Sequence, residues 1–179
     1  LIVLPGDFDK YEQFSRWMFS YARDFTPDVE QASIDEGYFD LSGCRRPPAE
    51  VAREIRVAIE QSLKISVSEG VGSSKFVSAV ASKLRKPAAF VEVPVGREAE
   101  FLEPLSSQWL PGVGPHTAGR LRAAGLTSIG QVAATPVELL ELVLGRAASG
   151  VRQFARGIDD RPVVAVAGPA KSYGRQETF

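Results

Sequence analysis

The sequence predicts a layered fold, a β-sheet covered by helices, followed by a region built of helices alone. Three observations carry that expectation. Short β-like runs alternate with helix-length amphipathic stretches as far as Val93. Pro94-Val95-Gly96 then breaks the chain, and beyond it strand patterns give way to short helices. No apolar run is long enough to cross a bilayer, and no basic-then-apolar leader opens the chain. Strand order is not legible, so α+β and α/β both stay open at this point.

The elements follow in order. Leu1-Ile2-Val3-Leu4 is a short apolar run bounded by Pro5-Gly6, which reads as an interior strand. No initiator Met precedes it and Thr178-Phe179 closes on an apolar residue, so both ends read as cut from a longer protein. Asp7 can cap a helix in which Tyr11, Phe14, Met18, Tyr21 and Phe25 recur at helical spacing, with Arg16 and Arg23 off that face. Thr26-Pro27 ends it. Strands are expected over 29–34 and 38–42, around Asp35-Glu36. Arg45-Arg46-Pro47-Pro48 leads into a helix over 49–63, with Val51, Ile55, Ala58 and Ile59 inward and Pro48 suited to its first turn. A strand over 64–71, a glycine-serine turn at Gly70–Lys75 and a helix over 74–85 follow, with Phe76, Val77, Val80 and Leu84 apolar. Pro87 stops that helix, and a strand over 89–93 completes the layer. Helices are then expected over 98–102, 106–110, 115–124, 128–133, 136–144 and 147–156, closed by Asp159-Asp160-Arg161-Pro162 and a basic stretch to Phe179.

Composition narrows the chemistry. With 44% hydrophobic and 24% charged residues the chain is an ordinary globular one. Cys44 is the only cysteine, which excludes an intrachain disulfide or a multi-cysteine zinc site and makes a cytoplasmic location the expectation. His116 is the only histidine, so Ser-His-Asp and Cys-His catalysis would need a second chain. Carboxylates with a hard divalent cation are left as the main catalytic option. The net charge of −1 divides into −5 over residues 1–63 and +4 over 64–179. An acidic part holding Asp35-Glu36 beside a basic part suits a metal site next to a polyanion.

Asp35 and Glu36 are the candidate acids. Regular alternation would send them to opposite faces of a strand, but a bend helped by Gly37 could bring both to one site. Paired oxygen ligands suit Mg²⁺, which takes a couple of carboxylates together with phosphate oxygens. Taken alone, the pair is an ordinary solvated acidic turn. The glycines at Gly70 and Gly72 lack the spacing and the Lys-Ser pair of a P-loop. Lys86, beyond a helix end, is favoured there by the helix dipole and could also meet a phosphate. Leu110-Pro111-Gly112-Val113-Gly114-Pro115-His116-Thr117-Ala118-Gly119-Arg120-Leu121 places two glycines around one apolar residue between helices, and resembles a helix-hairpin-helix. Gly112 and Gly114 allow a tight turn, and backbone N–H groups at that turn and at the following helix start would point toward a DNA phosphate, with Arg120 and Arg122 adding charge. Such contacts carry no base information. His116 reads as an exposed polar residue of that turn.

Several segments in register resemble the Y-family translesion DNA polymerases. Ser33-Ile34-Asp35-Glu36-Gly37-Tyr38-Phe39-Asp40 is similar to the catalytic palm motif, and Gly70–Phe76 running on through Ala81–Pro87 is similar to the next palm segment. Leu110–Leu121 resembles the thumb, Phe154–Val163 its closing segment, and Lys171–Phe179 the stretch entering the little finger. The resemblance implies an α+β fold: a partial palm over 1–94, with a mixed or antiparallel sheet and helices on one face, a helical thumb over 95–166 containing the helix-hairpin-helix, and a linker into the little finger over 167–179. It implies that Asp35 and Glu36 bind two Mg²⁺ ions, Asp35 bridging them and Glu36 on the primer side. It implies that Lys86 touches the triphosphate and Ser33 lines the same site. Gly112, Val113, Gly114 and Arg120 would hold the DNA backbone, and Arg175 the template strand.

The expected partners are primer–template DNA, deoxynucleoside triphosphates and a sliding clamp reached through sequence beyond Phe179, with no membrane. The expected setting is the bacterial nucleoid and the SOS response. The family's first metal-binding aspartate and its fingers lie ahead of the matching sequence, so this chain is expected to hold two of three metal carboxylates and to be inactive alone. Ser74 stands where the family usually has Asn, and Glu69 where it usually has a small or aliphatic residue. A non-catalytic polymerase-like accessory protein of a mutagenesis complex is the main alternative. A helix-hairpin-helix repair module unrelated to polymerases would leave the acidic segment without a role.

Overall fold

The structure is a computed structural model of the chain and describes residue 2 and residues 4–165. The chain forms two compact units. Among the described residues, one holds those up to Pro47 together with Val163–Ala165; the other is Pro48–Pro162.

The first unit is a helix on a hairpin. Helix α1 spans Phe8–Arg23, and the Asp7 carboxylate accepts the Lys10 N–H at 3.1 Å, the N-cap the sequence promises. Strands β1 (Val29–Gln31) and β2 (Gly37–Phe39) pair antiparallel with Val29 opposite Phe39. They are shorter than expected because the backbone leaves the ladder to make the loop that carries the acids. Among the described residues of the expected first strand, Ile2 and Leu4 are exposed and not in a strand. The buried line of α1 is Ser15, Phe19 and Ala22, one residue round from the predicted aromatic stripe. Tyr11 is 47% exposed, while Phe14, Met18 and Tyr21 flank the contact half-buried. Gly37 decides this: a Cβ there would lie 2.4 Å from the Phe19 ring, so the bare backbone of β2 receives Phe19 rather than its neighbours.

The second unit begins with α2 (Pro48–Leu63), which buries Ala49, Val51, Ala52, Ile55 and Ile59. Strands β3 (Glu69–Val71) and β4 (Phe90–Glu92) pair parallel, with Glu69 opposite Phe90, and α3 (Lys75–Leu84) crosses between them. Ser74 caps α3 by accepting the Val77 N–H. A Cβ on Gly70 would sit 2.1 Å from the Ser78 carbonyl oxygen and one on Gly72 2.7 Å from the Val77 side chain, so α3 lies directly on the β3 backbone. Gly70 and its ladder partner Val91 therefore face α3. Glu69 and Phe90 point the other way, where Arg53 of α2 stacks on the Phe90 ring at 4.4 Å and reaches Glu92 at 3.7 Å. The two helices thus address different faces of this strand pair, where helices on one face were expected.

Beyond Pro94 come α4 (Glu98–Leu102), a 3-10 turn at Ser107–Trp109, α5 (Pro115–Ala123), α6 (Ile129–Ala134), α7 (Val137–Leu144), a second 3-10 turn at Gly145–Ala147 and α8 (Ala148–Ala155). Ser128 and Gln131 close α6 with a reciprocal capping box. One apolar cluster runs from Phe76, Val77, Val80 and Ala81 of α3 through Leu102, Leu121, Ile129, Leu140 and Val151. The helical region is therefore built onto α3 and not onto a core of its own.

Glu69 is the misfit. Its Oε2 is buried and lacks a hydrogen-bond partner among the described residues. Desolvation pushes its pKa up to about 8, with Glu60 adding to the rise and Arg56 opposing it. The folded chain thus keeps a proton that the unfolded chain releases nearer pH 4.5, and stability falls as pH rises between those values. Urea midpoints measured from pH 5 to 8 should decline in the native chain, and Glu69→Gln should remove most of that slope. Gly70→Ala should cost about 3 kcal/mol of unfolding free energy, since overpacking against backbone cannot relax through a rotamer. Urea titration reads that loss as a lowered midpoint.

Candidate active site

The β1–β2 hairpin holds Asp35 and Glu36 in a five-residue loop and not within either strand. The N–H groups of Ala32 and Ser33 both donate to the Glu36 carbonyl at 2.9 Å, which closes the loop. Inside it the Ser33 hydroxyl accepts the Asp35 N–H at 3.3 Å and the Glu36 N–H at 3.0 Å, and donates to Asp35 Oδ1 at 2.8 Å. Serine makes such local turns because its short hydroxyl reaches the next amides. The bend expected at a strand end is thus a serine-stapled loop, and Ser33 fixes the direction of one Asp35 oxygen. Both acids are exposed.

Asp40, just past β2, is a third acid of this hairpin that the sequence reading did not single out as a site. Hydrogen bonds from the Ser42 side chain and from its backbone N–H, at 2.8 Å for the latter, hold the Asp40 carboxylate below its usual range against a smaller effect of burial. That carboxylate is thereby occupied locally. Among the described residues no three of His, Cys, Asp or Glu gather as a metal site.

Lys86 is exposed and follows the end of α3 by two residues, in the second unit, whereas Ser33, Asp35 and Glu36 belong to the first. The structure brings those three together and describes Lys86 separately.

The glycine turn also lies in the second unit. Its leading segment is the 3-10 turn Ser107–Trp109, not the α-helix expected over 106–110. Gly112 has φ +79, a conformation that favours glycine. Gly114 has φ −77 and precedes Pro115 at the start of α5, so its role is the cap and not a left-handed turn. Both glycines face open space. The Val113 N–H donates to the Leu110 carbonyl at 3.0 Å and the Val113 side chain is buried, so this residue closes the turn. In the first turn of α5 the N–H groups of His116 and Thr117 have no intrahelical acceptor. The sequence pointed to backbone N–H groups of the turn and of the following helix start, without showing that the turn itself uses the Val113 N–H. Arg120 and Arg122 are exposed on α5, as is His116 at its start. Arg175 lies outside the described residues.

Residues 1–83 match the impB/mucB/samB family. The chain is 45% identical to a DNA polymerase IV of Opitutus terrae, over all of this chain and 47% of the relative. It is 39% identical to a DNA polymerase IV of Desulfatibacillum aliphaticivorans, over 99% of this chain and 46% of that one. Among solved structures, the crystal structure of DinB from Sulfolobus solfataricus superposes with a TM-score of 0.81 at 28% identity, covering 90% of this chain and 49% of that one. The chain is similar over nearly all of its length to proteins named DNA polymerase IV and to solved Y-family DNA polymerases. An insertion ternary complex of Dbh DNA polymerase superposes with a TM-score of 0.82 at 28% identity, covering 90% of this chain and 48% of that one. The chain spans about half the length of the curated relatives it matches.

The two turn glycines should respond differently to alanine. Gly112→Ala forces a side chain into the left-handed region, at a cost of about 1–2 kcal/mol, whereas Gly114→Ala changes stability by less than about 0.5 kcal/mol. Thermal unfolding of the two variants side by side checks the contrast.

Proposed function

We propose that this chain supplies part of the palm and the thumb of an error-prone DNA polymerase that copies past lesions. The observation that carries the proposal is the Ser33-stapled loop presenting Asp35 and Glu36 together, on a chain related along its whole length to proteins named DNA polymerase IV. In this reading residues 1–94 act as the partial palm, 95–166 as the thumb and 167–179 as the start of the little finger.

Asp35 and Glu36 suit a divalent cation by donor chemistry, since both are hard carboxylate ligands, and Mg²⁺ is the ion the reading takes. When bound, two such ions supply electrostatic stabilisation to the attacking and leaving oxygens of an in-line phosphoryl transfer. Ser33 keeps Asp35 aimed. Lys86 places a point charge against the β/γ-phosphates of the incoming deoxynucleoside triphosphate. The Gly112–Gly114 turn with Arg120, and Arg175 further on, hold the DNA backbone through phosphates, without regard to sequence. The third metal carboxylate is supplied by sequence ahead of the matching segment, so the 179 residues by themselves do not extend primers. Recruitment to a clamp belongs to sequence beyond Phe179. The retained acidic pair favours this reading over a non-catalytic accessory protein, which would tolerate its loss.

In a complete polymerase carrying this chain, Asp35→Ala should lower kcat by at least a thousandfold while DNA affinity stays within about twofold. Single-nucleotide extension and fluorescence anisotropy report the two quantities, and normal extension by the variant would refute the assignment. Replacing both Gly112 and Gly114 with alanine should weaken binding about equally across unrelated primer–template sequences. A loss confined to some sequences would count against phosphate-only contact.

A further inference from the structure

The helical region leaves and rejoins the chain beside one short turn, and that turn is the start of α3. On the outgoing side Ser73 Oγ donates to Glu98 Oε1 at 2.6 Å, at the first residue of α4. On the returning side Asp159, four residues past α8, accepts the Phe76 N–H at its Oδ2, 2.9 Å away. Lys75 Nζ donates to the Pro162 carbonyl at 3.3 Å. The two sides also touch each other: a Cβ on Gly157, which has φ +81, would lie 2.7 Å from Glu98 Cβ.

Asp159 is the centre of this arrangement. Its side chain is 0% exposed, and every donor around it is directed. Arg161 grips it with two side-chain bonds, Nε to Oδ1 at 2.7 Å and Nη2 to Oδ2 at 2.8 Å, and adds its backbone N–H at 3.3 Å. Such a paired, charge-assisted contact restricts orientation as well as distance. The same guanidinium lies 5.1 Å from the centre of the Phe154 ring, and Phe154 meets Phe76 edge to face at 5.7 Å. Burial raises the Asp159 pKa, but the Arg161 and Phe76 donors outweigh it and hold the carboxyl below its usual range, so the group stays charged. A lone buried carboxylate would be costly; one with a bidentate arginine and a helix-start amide is not.

We propose that Asp159 is a positioning residue, the pin of a two-point mount that makes α3 and the helical region move as one body. The apolar cluster joins the two without fixing direction, and the directed bonds at Glu98 and at Asp159 set the orientation. The consequence rests on the proposed function. The phosphate-holding turn at Gly112–Gly114 belongs to this body, and α3, about 15 Å long at 1.5 Å per residue, leads from the mount toward Lys86. The mount therefore sets the register between the DNA backbone and the incoming triphosphate, with Asp159 touching neither.

Two measurements test this. In the 179-residue chain, hydrogen exchange at the Phe76 amide should rise at least tenfold in Asp159→Ala and in Arg161→Gln, while the Leu121 amide in the core keeps its rate. Asp159→Asn, which retains an acceptor but loses the charge, should fall between. Asp160→Asn, at the exposed neighbour, should change nothing. In a complete polymerase carrying this chain, Asp159→Asn and Arg161→Gln should lower kcat at least tenfold with the DNA dissociation constant within twofold of wild type. Unchanged exchange at Phe76 would overturn the mount. A parallel fall of kcat, DNA affinity and melting temperature would overturn the positioning role and leave only a structural one. If the wild-type polymerase shows no extension, the functional reading fails, while the exchange measurement still decides the mount.

Discussion

The second unit depends on the absence of side chains at Gly70 and Gly72. With no Cβ in the way, α3 rests on the β3 backbone and places Phe76, Val77, Val80 and Ala81 where the helical region can close over them. Any methyl group at Gly70 would meet the Ser78 carbonyl, and backbone cannot turn aside as a side chain can. Lifting α3 would carry away the surface on which Leu102, Leu121 and Leu140 pack, because those residues share one cluster with α3. Sheet and helices are thus joined by a contact whose main requirement is that two positions stay empty.

Most elements were legible in the sequence because their signals are local. Proline and glycine punctuation located the six helical segments after Pro94 to within a residue or two, and Asp7 announced a cap that forms. What was illegible depended on partners. The buried line of α1 is Ser15-Phe19-Ala22 because Gly37 leaves room for Phe19, a contact between residues far apart in sequence. The strands were read too long because apolar residues flank them, while the ladders end where turns claim the backbone. The segment 106–110 has helical composition but makes only one 3-10 turn, with the Ser107 N–H donating to the Thr127 carbonyl and its hydroxyl to that of Leu126.

The candidate site was legible as residues and not as geometry. Asp35, Glu36 and Ser33 were all named from the sequence, yet the part Ser33 plays in holding the loop appeared only with its three hydrogen bonds. The turn at Gly112 was found, but the division of its amides between turn closure and the open start of α5 was not. The Asp159–Phe76 bond joins residues 83 apart, and nothing in either neighbourhood announces the other. Glu69 was noticed as unusual for its place, and the structure gives the physical reason: it brings a carboxyl where an apolar side chain would lose nothing by burial.

The staple at Ser33 has a consequence for how the acidic loop stands in water. Two neighbouring negative charges repel, and a free loop would relieve that by turning one carboxylate away. The hydroxyl proton on Asp35 Oδ1 fixes one of them with a neutral donor, so no counter-ion is needed to keep its orientation. Oδ2 lies outside that bond. The serine therefore acts as a rotor stop: it commits one oxygen of the carboxylate to the loop and leaves the other out of that bond.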